Sequence, residues 1–308
     1  MRVAVVGATG FVGSYVVDLL LEQGHEVKQL VRPGSEHKAR HADSTRIVFG
    51  SIDSASSLNE LVADCDAVIY SVGILRESPR KEITFENTQF DGVARTVDAA
   101  VANGVARFLL LSANGVKNPG TPYQETKKRA EELLLASNLD ATIFRPSVIF
   151  GDPRGRMEFA TQLFRDMVRP PIPAVNFFKG WRPGRGDVLM SPVHVKDVAR
   201  AIVSALDSQQ TIGTTYELGG PETLSWSDMI RRIAATTGRK KWLIPMPIGL
   251  MKIAATFFDF LPFFPVTRDQ LTMLQEDNTA NSEAVETLTG TEPVAFSIAQ
   301  LDYLNSNS

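Results

Sequence analysis

The chain has 308 residues, of which 44% are hydrophobic and 22% charged, enough to bury a large core and to build one large domain with or without a smaller lobe. Its formal charge of −3 leaves no global positive field to draw it to nucleic acid. A single cysteine excludes an intrachain disulfide framework, and His25, His37, His41 and His194 are too scattered to support a metal site. The first predicted element is a buried strand at residues 3–6, not the long apolar core of a signal peptide. It runs into Gly7, Gly10 and Gly13, after which Val12, Val16, Leu19 and Leu20 recur at helical spacing up to a stop at Gly24. Strand, glycine turn and helix together form a setting for a dinucleotide. Gly7 permits the sharp exit from the strand, Gly10 lets a pyrophosphate approach the backbone, and Gly13 lets helix and strand pack closely. The helix N-terminus adds free N–H groups and a partial positive charge.

Residues 26–31 read as the second strand. An arginine just beyond it suits the 2′-phosphate of NADP, whereas an acid suits the ribose hydroxyls of NAD. Arg32, with Ser35, Lys38 and Arg40 behind it, favours NADP(H) over NAD(H); Glu36 is the residue that would reverse the choice. Residues 47–49 form the third strand, leading to a bend where Ser51 and Ile52 would meet adenine. Ser57-Leu-Asn-Glu60 reads as a capping box for a short helix. Cys65 lies between Asp64 and Asp66, which disfavour a thiolate, so it reads as a packing residue. The fourth strand, 67–72, ends at Ser71, Val72 and Gly73, whose backbone would pass beside the cofactor. Residues 74–86, with Arg76, Arg80 and Lys81, are either a border of the ligand crevice or a solvated loop. Phe90, Val93, Ala94, Val97 and Val101 mark the apolar stripe of a long helix, and 107–112 the fifth strand. Successive strand–helix units predict an α/β fold with a doubly wound parallel Rossmann sheet.

The second chemical stretch begins at Ser112 and passes Asn114 to reach Tyr123 and Lys127, which share one face of a helix. A free tyrosine, with a pKa of about 10, is a reluctant acid at neutral pH. A neighbouring ammonium stabilises its phenolate, and the same ammonium can hold a ribose hydroxyl. Such a pair can pass a proton to a carbonyl while hydride moves to or from a nicotinamide.

Taken together, Gly-Ala-Thr-Gly-Phe-Val-Gly at 7–13, Asn87, the Tyr123/Lys127 pair, Arg145-Pro146-Ser-Val-Ile-Phe-Gly151 and His194-Val-Lys-Asp197-Val-Ala resemble an atypical or extended short-chain dehydrogenase/reductase over residues 1 to about 220. Within that family the chain is similar to the 39-kDa subunit of respiratory complex I and its bacterial relatives. The resemblance rests on the short Ser112-to-Tyr123 loop, the Arg-Pro-Ser-Val-Ile-Phe-Gly turn and the apolar tail. It implies that Gly7, Thr9, Gly10, Phe11, Val12, Gly13 and Arg32 meet the dinucleotide, that Asn87 belongs to the same site, and that Lys127 with Pro146, Ser147, Val148 and Ile149 flanks the nicotinamide half. Two departures stand out. Extended sugar-nucleotide enzymes carry a longer segment before the tyrosine and place the catalytic Ser or Thr where this chain has Asn114, which leaves Ser112 a strand-end residue or a catalytic one. They also carry an acid where this chain has Ser51.

A sixth strand is expected at 141–144, a helix at 157–168, and a basic glycine loop at 179–185 that either closes over substrate or is solvated. His194 reads as structural, with Asp197 in the first turn of the helix that follows. Another strand is expected at 215–218, and Ser225-Trp-Ser-Asp228 resembles a capping box. The dinucleotide domain is placed at 1–150 plus parts of 185–220, and a small C-terminal α/β lobe at about 151–184 and 221–308. Residues 242–266 are apolar, but prolines, Lys252 and Asp259 break them as a membrane span. They pack within the lobe, cap a pocket, lie on a membrane surface or dock a partner subunit. From 267 onward an amphipathic helix and a polar end are expected. The sequence therefore supports two functions: an NADP(H)-dependent oxidoreductase or epimerase acting on a small-molecule substrate, or a cofactor-binding structural protein of a membrane redox complex. The expected location is cytoplasmic, or peripheral to a membrane.

Overall fold

The computed structural model describes residues 1–78, 82–180, 186–258 and 268–307. In chain order the elements are β1 (Arg2–Val6), α1 (Phe11–Glu22), β2 (Glu26–Val31), β3 (Arg46–Phe49), α2 (Ala55–Val62), β4 (Ala67–Tyr70), α3 (Gly92–Ala102), β5 (Arg107–Leu111), α4 (Pro122–Leu135) and β6 (Asp140–Pro146). There follow β7 (Ile149–Phe150), α5 (Phe159–Leu163), β8 (Ala174–Phe178), β9 (Leu189–Met190), β10 (Val193–His194), α6 (Val195–Ser204) and β11 (Thr214–Leu218). The chain ends with β12 (Leu224–Ser225), α7 (Trp226–Thr236), β13 (Leu243–Pro247), α8 (Ile248–Phe258), α9 (Arg268–Leu274) and α10 (Glu283–Thr289), then a 3₁₀ turn at Ala299–Asn307.

Two compact units share this chain. The first takes Met1–Pro146, Lys196–Glu217 and Thr287–Gly290. Among the described residues its sheet has seven strands in the order β11-β6-β5-β4-β1-β2-β3, and the pairings from β6 through to β3 are all parallel. The order reverses between β1 and β4, the switch point at which open α/β sheets leave a crevice beyond the strand ends. Residues Val3 to Val6 are fully buried, as a central strand covered on both faces must be. Leu58, Leu61, Val97, Phe108, Leu134 and Ile143 belong to one core cluster of this unit.

The second unit takes Ser147–Val195, Leu218–Glu286 and Thr291–Ser308. Its described residues form three two-stranded sheets, β10-β7, β12-β9 and β13-β8. Its core gathers Phe150, Phe164, Phe177, Trp226, Ile230 and Phe296.

Several local expectations shift. The cap of α2 is Ser54, whose Oγ accepts from the Ser57 amide at 3.3 Å, so the helix opens three residues before the expected box. The helix that follows β4 starts as a π-helical turn at Glu86–Asp91 and only then becomes α3, while Val101 at its far end is 52% exposed and leaves the apolar stripe. The expected helix at 157–168 is a short α5 continued by a π-helical turn, Phe164–Val168. The expected tail helix is divided among α9, α10 and the closing 3₁₀ turn.

Candidate functional site

At the opening turn each glycine has its own reason. Gly7 adopts φ +95°, and a Cβ on it would stand 2.7 Å from Ser71 Oγ, which itself donates to the Val6 carbonyl at 3.1 Å. A Cβ on Gly13 would fall 2.1 Å from the Gly7 carbonyl oxygen, so the helix can pack there only without a side chain. Gly10 has an ordinary φ of −79°, and a Cβ on it would meet nothing closer than the Gly7 oxygen at 3.0 Å. The conformation does not demand glycine here and packing does so only through that one tight contact, while the missing side chain leaves the backbone open to an approaching group. Gly10 caps α1 with no side-chain hydrogen bond, and the first turn carries no acid. By contrast α2, α4, α5 and α7 are capped by Ser54, Thr121, Glu158 and Ser225. The N–H groups and the positive end of α1 thus suit an anion, and the turn fits a dinucleotide diphosphate. Thr9 lies within the turn, Val12 is buried behind it, and the Phe11 ring meets Tyr15 edge-on at 6.1 Å.

Beyond β2, Arg32 is exposed and its guanidinium has no partner among the described residues. Glu36 curls back to accept the Gly34 amide at 2.9 Å, and that bond holds its carboxyl below the usual range. Arg40 is committed to Asp18 at 2.9 Å, which also accepts from His41.

At the adenine bend Ser51 is turned inward on its own loop. Its Oγ lies 3.3 Å from Asp53 Oδ2 and accepts the Asp53 amide at 3.2 Å. Asp53, two residues past the expected position, is the acid of this bend. Arg95 ties the bend to the π-helical turn: it donates to the Ile52 carbonyl (2.8 Å), to Asp53 (3.2 Å) and to Asn87 Oδ1 (2.6 Å). Ile52 packs against the core. Asn87 is fixed by this arginine and by its own bond to the Glu82 carbonyl.

The helix carrying the tyrosine starts firmly. Thr121 and Gln124 form a reciprocal capping box with Pro122 at the first position, and Gln124 Nε2 reaches the Gly115 carbonyl at 2.8 Å. Tyr123 is half-buried, its ring edge-on to Phe85 at 5.6 Å. Lys127 Nζ lies 5.9 Å from the centre of that ring. Lys127 is buried and donates to the Leu111 carbonyl at 3.2 Å, and Gly73 passes so near that a Cβ there would stand 3.8 Å from Nζ. Ser112 Oγ is buried without a hydrogen-bond partner. It lines a small cavity together with Val72, Gln89 and Lys127. Asn114 sits apart in its role: its amide donates to the Pro146 carbonyl and its Oδ1 accepts the Gly115 amide, both at 2.9 Å.

Burial pushes the Lys127 ammonium down to about 8, against a smaller upward pull from Glu131. Burial pushes the Tyr123 phenol up. The sequence predicts that the ammonium draws that phenol down; burial instead sets the direction of the shift.

Sequence reasoning missed a supporting pair. Glu131, one turn beyond Lys127, accepts two hydrogen bonds from Arg145 on β6, at 2.9 and 2.5 Å, and its side chain is 1% exposed. The only signal was the Lys127-to-Glu131 spacing; Arg145 comes from another element. Gln89 was also missed. It bridges the Ile74 carbonyl (3.0 Å) and Thr126 on α4 (3.1 Å).

Pro146 ends β6 in the first unit. Ser147, Val148 and Ile149 belong to the second unit and serve its own structure: Ser147 Oγ donates to the Asn278 carbonyl at 2.6 Å, the Val148 carbonyl accepts from Val193, and Ile149 pairs with Val193 in β7–β10. His194 is buried against the Phe150 ring. Arg80 and Lys81, residues 181–185 and residues 259–266 lie outside the described residues. Among the described residues no cluster of three or more His, Cys, Asp or Glu is set to hold a metal, and no helix is long and apolar enough to cross a membrane.

A family model described as NAD(P)H-binding matches residues 7–169, more than half of the chain. The chain belongs to that family, among the extended short-chain dehydrogenase/reductase-like proteins. It is 28% identical, over 91% of its length and 70% of the relative's, to the mitochondrial NADH dehydrogenase [ubiquinone] 1 alpha subcomplex subunit 9 of Arabidopsis thaliana. It is also 28% identical, over 80% of its length and 73% of the relative's, to a ceramide reductase of Caulobacter vibrioides. The UDP-glucuronic acid 4-epimerase of Bacillus cereus, solved with UDP-glucuronic acid and NAD, shares the fold at a TM-score of 0.75 with 18% identity, all of both chains being covered.

Proposed function

We propose that the protein is an NADP(H)-dependent oxidoreductase of a small carbonyl or hydroxyl compound, or an epimerase built on the same chemistry. The observation that carries this reading is the Tyr123–Lys127 pair on α4, with Lys127 held against Leu111 and Gly73 and lining one small cavity with the buried Ser112, in a chain of the NAD(P)H-binding family. When bound, the nicotinamide supplies a hydride to a carbonyl carbon or takes one from the corresponding alcohol. Tyr123 donates its hydroxyl proton to the carbonyl oxygen, or accepts it in reverse, and Lys127 steadies the phenolate so formed. Gly7, Gly10 and the start of α1 hold the diphosphate. Arg32 takes the 2′-phosphate, since its guanidinium is uncommitted and Glu36 is engaged with Gly34; this supports NADP over NAD.

Titration of NADPH and NADH, followed by an assay on a panel of aldehydes and ketones, tests the proposal. Tyr123→Phe should keep NADPH affinity and lose turnover by about 100-fold or more; turnover that survives the change removes Tyr123 from the role. Arg32→Ala should weaken NADPH by about tenfold or more, with NADH unchanged; equal loss for both cofactors removes the phosphate assignment.

A second reading has its own support. Asn114 is spent on the Gly115 turn and burial raises the Tyr123 phenol, which suits a non-catalytic NADP(H)-binding subunit or assembly protein of a membrane redox complex. Under that reading, tight cofactor binding comes with no oxidation of NADPH by any carbonyl or quinone.

A further inference from the structure

None of the residues assigned above to cofactor or proton transfer lies in two basic segments of the second unit. Residues 167–180 and 239–258 contain Arg169, Lys179, Arg239, Lys240, Lys241 and Lys252 and not one Asp or Glu, in a chain whose net charge is −3. These two segments are neighbours in space: β8 and β13 pair in parallel, Leu243 opposite Ala174, and the Ala174 amide donates to the Trp242 carbonyl at 2.8 Å. Three of the six cations have partners. Lys179 pairs with Asp277, Lys241 donates to the carbonyls of Val168 and Pro170, and Lys252 donates to Gln275. Arg169, Arg239 and Lys240 are exposed and have no carboxylate partner among the described residues, Arg239 lying 5.9 Å from the Phe164 ring.

Beside these charges stand large apolar side chains in water. Trp242 is 81% exposed, Ile172 65% and Ile244 49%. Trp242 and Ile244 are two apart along an extended stretch, which puts them on one side. The unit can bury an indole, since Trp226 is 6% exposed and its Nε1 donates to the Val175 carbonyl at 3.0 Å. Trp242 is left out of that core. The next element, α8, exposes Leu250 and Ile253 as well.

We infer that the β8–β13 edge of the second unit docks on an anionic lipid surface, with Trp242, Ile172 and Ile244 entering the headgroup region and Arg169, Arg239 and Lys240 meeting lipid phosphates. Tryptophan prefers the membrane interface, and cations without acids among them are drawn to anionic lipid. An exposed apolar patch with a basic rim is the form such a surface takes. Docking is independent of whether Tyr123 acts in catalysis.

The test is co-sedimentation of the full chain with phosphatidylcholine vesicles, with and without phosphatidylglycerol. The wild type should pellet only with the anionic vesicles, and less at high salt. Trp242→Ser with Ile172→Ser, and separately Arg239→Glu with Lys240→Glu, should each weaken binding by about tenfold or more. Both pairs are on the surface, so melting temperature and NADPH affinity should stay at wild-type values and report an intact fold. A wild type that stays in the supernatant, or pelleting that survives both double variants, overturns the inference. So does binding to heparin without binding to vesicles, which would mark a soluble acidic partner instead.

Discussion

The glycine turn at residues 7–13 and the α4 face bearing Tyr123 and Lys127 belong to the same unit, yet they are held by different physics. The turn is made of backbone. Its geometry follows from missing side chains: a Cβ on Gly13 would sit 2.1 Å from the Gly7 oxygen. The α4 face is made of side chains whose protonation depends on what surrounds them. Burial moves Lys127 down and Tyr123 up. A backbone site is therefore robust to charge and intolerant of volume, whereas the α4 face should respond to charge.

The largest expected effect breaks the backbone side. Gly13→Val puts a branched side chain where the Gly7 carbonyl already is, so it should cost more than about 3 kcal/mol, beyond ordinary overpacking. Urea unfolding, or failure to recover folded protein, reads it out; wild-type stability in this variant would mean the helix does not pack as described. Next comes the charge side. Arg145→Ala leaves Glu131 buried without its two hydrogen bonds. It should cost about 2–3 kcal/mol, below the full value for a buried pair because the Arg145 side chain is 21% exposed. Unfolding midpoints within error of wild type would show that the pair contributes nothing.

A smaller effect separates the two regions by pH. The Lys127 ammonium is pushed from its ordinary 10.5 down to about 8. Between those values the unfolded chain holds a proton that the folded chain has released, so stability from this residue rises as pH increases from about 8 to 10.5. Lys127→Met should remove that rise, on the order of 1–3 kcal/mol across the window. A wild type and variant with parallel stability–pH curves would place Lys127 in a solvated setting.

The same contrast explains what the sequence could tell. The three glycines are spaced by a local rule, strand exit to helix entry, and that rule is visible in thirteen residues. The Tyr123–Lys127 spacing is also local, since a helix fixes it. What was hidden depends on elements far apart in the chain. Arg145 reaches Glu131 from β6, Arg95 reaches Asn87 and Asp53 from α3, and nothing in either neighbourhood announces the pairing. The expected capping residue Ser57 instead lies inside the helix, its amide donating to Ser54 Oγ. Apolar composition left several roles open for the segment from 242 onward; in the fold Trp242, just before β13, is exposed while Ile248 and Ala255 of α8 are buried.

The most direct test of the central claim, a dinucleotide diphosphate seated on the opening turn, is calorimetric titration of NADPH into the wild type and Gly10→Ala. Gly10 has an ordinary φ and a Cβ there meets only the Gly7 oxygen at 3.0 Å, so the variant should stay folded within about 1 kcal/mol. If the diphosphate lies on this turn, the added methyl group crowds its approach, and NADPH affinity should fall by about tenfold or more. Unchanged affinity in a folded Gly10→Ala protein would contradict the account.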